Sequence, residues 1–116
     1  MITSYQIVTG TGEAVEATED VTVIAAQGSN KKLHLMRGVL SVTLAATGGG
    51  GEAAVEDGVG GTRIIEVDAD ALGFYPFDFG DEGIPLSANT ILNLTVDGAV
   101  TNQASARLSA VCKVVG

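Results

Sequence analysis

Ile91-Leu92-Asn93-Leu94-Thr95-Val96 leads through Asp97-Gly98 into a second run, Ala106-Arg107-Leu108-Ser109-Ala110-Val111-Cys112-Lys113-Val114-Val115. In the first segment Leu92, Leu94 and Val96 alternate with Asn93, Thr95 and Asp97. In the second, Ala106, Leu108, Ala110, Cys112 and Val114 alternate with Arg107, Ser109 and Lys113. Side chains on a strand point to opposite faces in turn, so period two with one apolar face marks half-buried β-strands. Asp-Gly is a favoured hairpin dipeptide, which predicts that these two strands are hairpin neighbours, although Thr101-Asn102-Gln103 extends the turn-like stretch.

The same reading extends upstream. Val21 to Ala26 reads as a strand and Gln27 to Lys32 as a turn cluster. In the long run Leu33 to Ala46, Leu33 and Leu35 occupy odd positions while Leu40, Val42 and Leu44 occupy even ones. One extra residue flips every side chain to the other face, so a β-bulge or bend is expected at Arg37-Gly38. Glu52 to Asp57 and Ile64 to Ala69 read as strands around a Gly58-Val59-Gly60-Gly61 turn. Phe77 and Phe79 around Asp78 suggest another. Ile2 to Val8 reads as a short strand closed by a Thr9-Gly10-Thr11-Gly12 turn, with Glu13 to Thr18 pairing weakly. No segment has convincing helical periodicity, helix being limited to a turn or two near Asp68 to Phe74. The expected fold is a single all-β domain, 1–116, an antiparallel sandwich of about eight strands arranged like a jelly roll. An immunoglobulin-like sandwich is the alternative, without the central Trp and paired Cys of true immunoglobulin domains.

Composition restricts function. The 116 residues suit one core. A net charge of −8, from 14 acidic and 6 basic residues, repels phosphate and argues against nucleic-acid binding. Aromatics make up 4% and Trp is absent, which disfavours stacking platforms for sugars or bases. One cysteine allows no internal disulfide. The N-terminus lacks a basic segment followed by an apolar run, and no stretch approaches the roughly 18 apolar residues that cross a bilayer, so synthesis in a cytoplasm without membrane association is expected.

Candidate chemistry is sparse. Asp68-Ala69-Asp70-Ala71-Leu72-Gly73 places acids at the first and third positions of a calcium loop and Gly at the sixth. Leu72 and Phe79 then occupy positions that need oxygen ligands, so a solvated acidic loop is the expectation. His34 and Cys112 read as a hydrogen-bonded strand residue and a small buried hydrophobe. The glycine clusters lack the Gly-Lys-Ser/Thr of a phosphate loop. Glu56-Asp57 and Asp81-Glu82 read as solvated acids. No catalytic, metal or cofactor site is expected. Phe74, Tyr75 and Phe77 around Pro76 form an aromatic cluster with two readings, a core plug or an exposed contact patch.

Four segments together resemble the small jelly-roll decoration, or cement, proteins on the heads of tailed bacteriophages. They are Leu40-Ser-Val-Thr-Leu-Ala45 with its Gly-rich turn, Thr62-Arg-Ile-Ile-Glu-Val67, the loop and strand from Gly83 to Val96, and Ala106 to Val115. The resemblance covers roughly 80 residues and is one of pattern and composition, shared with small β domains of phage tails and fibres. It implies a non-enzymatic virion protein on the capsid surface, bound to the major capsid protein as a homotrimer. Residues 1–20 are then either an arm that adds a strand to a neighbour's sheet or simply the first strand of the domain. Ile2, Tyr5, Ile7, Phe74, Tyr75 and Phe77 are the candidate interface residues. A carbohydrate- or ligand-binding sandwich is the competing class, with the Asp68 to Asp81 loop as a place for calcium.

Overall fold

The computed structural model describes residues 6–15, 20–46, 51–97 and 104–116. Nine strands are present among them and no helix: β1 (Gln6–Val15), β2 (Asp20–Ile24), β3 (Lys32–Leu44), β4 (Glu52–Asp57), β5 (Arg63–Asp68), β6 (Gly73–Asp78), β7 (Ile84–Pro85), β8 (Leu92–Asp97) and β9 (Ser105–Val115). The front sheet has the order β1-β9-β3-β6, with β7 extending the β3 edge, and the back sheet the order β2-β8-β4-β5. All pairings are antiparallel.

The pairing is nested. β4 pairs with β5, β3 with β6, β2 with β8 and β1 with β9. A long hairpin folded at the β4–β5 turn and rolled into two layers gives this order, which is that of a jelly roll. From residue 20 onward the strands stand where the sequence predicts them, with the two-residue β7 as an addition, whereas the segments expected at Ile2 to Val8 and Glu13 to Thr18 are represented among the described residues by the single strand β1.

The even positions that mark β8 and β9 do face the core, but the two strands are not a hairpin. β8 lies between β2 and β4 in the back sheet, and β9 between β1 and β3 in the front sheet. Leu92, Leu94 and Val96 therefore face Ala106, Leu108, Ala110 and Cys112 across the sandwich in one core cluster, as two opposed walls instead of one. Each apolar face is covered by the other, which a planar two-strand hairpin cannot achieve. Residues 98–103, with Gly98 of the turn dipeptide, lie outside the described residues.

Leu33, Leu35, Leu40 and Val42 all point inward. The register between β3 and β9 slips between Leu35 and Arg37, leaving Met36 as the extra residue, one position before the expected bend. The carbonyl of buried Met36 accepts a 2.7 Å bond from the Phe79 amide, which ties the end of β6 to the bulge.

The Thr9-Gly10-Thr11-Gly12 turn does not form; β1 runs straight through it. A side chain at Gly10 would collide with the Val23 carbonyl, and one at Gly12 would meet Val23 and Val21 methyls at 3.2 and 3.3 Å. The glycines let β1 of one sheet close against β2 of the other. Residues 6–15 thus belong to the domain's own sheet.

Candidate interaction surface

Strand β6 lies at one edge of the front sheet. Its partner register, Phe74 opposite Ser41, Tyr75 opposite Leu40 and Phe77 opposite Gly38, sorts its aromatics by face. Tyr75 and Phe77 take the side of buried Leu40. Phe77 packs on the core and pairs with Phe79, with ring centroids 5.5 Å apart. The Phe77 ring occupies the space left by Gly38, where an added Cβ would lie 2.8 Å from it. Tyr75, at the sheet edge, retains partial exposure and folds its ring over Gly73.

Phe74 points the other way and is 80% exposed. Leu72, 67% exposed, stands beside it, and together with Ser41, Val42, Thr43 and Gly73 they line an apolar hollow of about 400 Å³. Pro76 sits in mid-strand between Phe74 and Asp78. It removes a backbone donor from the edge, so this edge presents side chains and resists strand addition.

The expected interface residues do not converge. Phe74 and Tyr75 flank the hollow's edge strand, while Phe77 serves the core. Ile7, half exposed, is on β1 at the opposite edge of the sheet, three strand spacings across from β6 and six residues along from the Phe74 row, roughly 25 Å from Phe74. Ile2 and Tyr5 lie outside the described residues.

The outer face of the back sheet is polar. Arg63 on β5 bonds the carboxylates of Glu66 at 3.0 Å, Glu56 at 3.3 Å and Asp97, with Glu52 at 3.7 Å. Hydrogen bonding to Glu66, with further help from Asp97 and Glu56, holds the guanidinium protonated more firmly than usual against the cost of its desolvation. The hydrogen bond and repulsion from Glu66 raise the Glu52 pKa, while that of Glu66 is lowered by Glu52 and Arg63. Fully buried Asn93 donates to Asp20 at 3.0 Å and to Glu56 at 3.1 Å, and its Oδ1 has no hydrogen-bond partner among the described residues. Asp20, Glu56, Arg63, Thr95 and Asp97 line a hollow here with the Val59–Gly61 turn. This acidic cluster was not singled out from the sequence, because its members come from four separate strands.

The remaining candidates disperse. Asp68 ends β5, whereas the Asp70 carboxylate accepts from the Gly51 amide at 3.3 Å, so the two acids do not form a loop site. Among the described residues no group of three or more His, Cys, Asp or Glu side chains is placed to hold a metal ion. His34 donates through Nδ1 to the Glu82 carbonyl at 3.0 Å on the outer side of β3. Cys112 faces inward at 0% exposure, on the opposite side, and burial pushes its thiol up to about 12. Asp57 accepts from the amide and hydroxyl of Ser87, and Asp81 pairs with Arg37. No family model matches this chain, and no curated protein matches it in sequence.

Proposed function

We propose that the protein is a structural virion component that decorates the outer surface of a bacteriophage head, bound to the major capsid protein as a homotrimer. The observation that carries this reading is the solvent-facing Phe74 and Leu72 beside an apolar hollow, held on the edge of a rigid two-layer sandwich. A largely exposed aromatic on a strand costs solubility and contributes little to its own core, whereas it is the usual anchor of a protein contact. The jelly-roll strand order and the sequence resemblance agree with the role. On a repeating shell, a modest contact made three times per trimer becomes tight through effective concentration, without any new interaction.

The direct test is mass spectrometry of purified particles combined with sedimentation of the free protein. The expected result is stoichiometric presence on heads and a trimer in solution. A protein that is monomeric at high concentration and absent from particles refutes the reading.

A further inference from the structure

The two outer faces differ in charge. On the back sheet the outward positions include Asp20, Glu52, Glu56, Glu66, Asp68 and Asp97, set against Arg63 alone. On the front sheet they include Lys32, Arg37 and Arg107, with Lys113 buried at its outward position, against Glu13 and Asp78, with Asp81 of the adjoining turn paired to Arg37. In a chain of net charge −8, the face that also carries Phe74 is thus close to charge balance, while the opposite face is strongly acidic.

The register fixes the relation between the two. Glu13, Arg107, Ser41 and Phe74 lie opposite one another on β1, β9, β3 and β6, forming one row across the front sheet. Ser41 is small and shielded, so the row presents an aromatic ring and a guanidinium with little between them. Two strand spacings separate them, about 10 Å. Arg107 is 57% exposed at its side chain, and its ion pair to Glu13 is long at 3.7 Å. The next row, Thr11, Ser109, Val39 and Pro76, is uncharged, and its Val39 and Pro76 half continues the apolar surface beside Phe74.

We infer that the outer face of the front sheet is the docking face, and that it fits a protein surface with an apolar recess for Phe74 and a carboxylate about 10 Å away for Arg107. Phe and Arg anchors in a desolvated centre, surrounded by polar contacts, are a productive interface composition. The back sheet, with its excess of carboxylates, faces solvent and repels further copies of the same acidic face. This orientation rests on the docking role proposed above, which it deepens by naming the face and the chemistry of its partner.

Binding of purified protein to decoration-free heads tests the inference, using wild type, Phe74→Ala, Arg107→Glu, Arg107→Gln and, on the back face, Asp68→Lys. A parallel arm measures retention at pH 7 and low salt on a matrix bearing carboxylate and phenyl groups. Expected are losses of about tenfold or more in affinity for Phe74→Ala and Arg107→Glu, an intermediate loss for Arg107→Gln, and none for Asp68→Lys. Higher ionic strength weakens wild type toward the Arg107→Gln level. The matrix retains wild type and releases the two front-face variants early. If heads bind every variant equally, or Asp68→Lys alone abolishes binding, the docking face is wrong. Retention on the matrix without any binding to heads refutes the virion reading and leaves the face assignment standing. Failure of the matrix to distinguish the variants, with no head binding, overturns it. Selective retention on immobilised DNA instead identifies a phosphate partner and also overturns it.

Discussion

At Gly38 the chain passes so close to β9 that a methyl group would collide with the Ser109 carbonyl and press on the Phe77 ring. Gly38→Ala is expected to cost about 2–4 kcal/mol, since backbone cannot yield as a flexible side chain does. A lowered urea midpoint at unchanged slope is the signature, and an unchanged midpoint contradicts the packing described. Cys112 makes a different prediction. Its thiol is inaccessible, so it should resist alkylation until the protein unfolds. Its folded pKa, about 12, lies above the ordinary value of 9.0. The folded state therefore binds more protons than the unfolded state between those values. The corresponding stability is complete below pH 9 and is lost as pH rises toward 12. Denaturation curves across that range should show the fall, and Cys112→Ala should flatten it.

At the scale of elements, β5 depends on one cation. Arg63 holds carboxylates from β4, β5 and β8 on the back sheet. Arg63→Met leaves Glu56 in a buried position without its guanidinium partner. A loss of about 1–3 kcal/mol at pH 7 is expected, shrinking when the carboxylates are protonated at low pH. Equal loss at both pH values, measured by thermal unfolding, argues that the alkyl packing of Arg63 matters instead. The sequence made some elements readable and hid others. The face switch in Leu33 to Val42 is visible because apolar parity changes within one run. Gly10 and Gly12 misled because a glycine that permits close approach and one that turns the chain look identical without the neighbour. Asp97-Gly98 misled because a turn signal is local, while the partners of β8 and β9 are chosen by distant strands. Phe74 and Phe77 were inseparable as a cluster until the register with β3 put them on opposite faces.

Over the whole molecule, the nested order has a consequence for synthesis. β9 is the second strand of the front sheet and joins β1 to β3, which otherwise share no ladder. In sequence it follows every other strand of the two sheets described. The β4–β5 hairpin and the β3–β6 pair are available early from contacts of modest sequence separation. Until β9 emerges, β1 has no partner in its own sheet, and Leu33, Leu35 and Leu40 lack their cross-strand neighbours Val114, Cys112 and Leu108. Such a topology closes late and slowly, because the costly long-range loops must form before they are rewarded. A nascent chain of this protein is therefore an assembly intermediate awaiting a keystone, dependent on β9 both for its fold and for the Arg107 that its docking face presents.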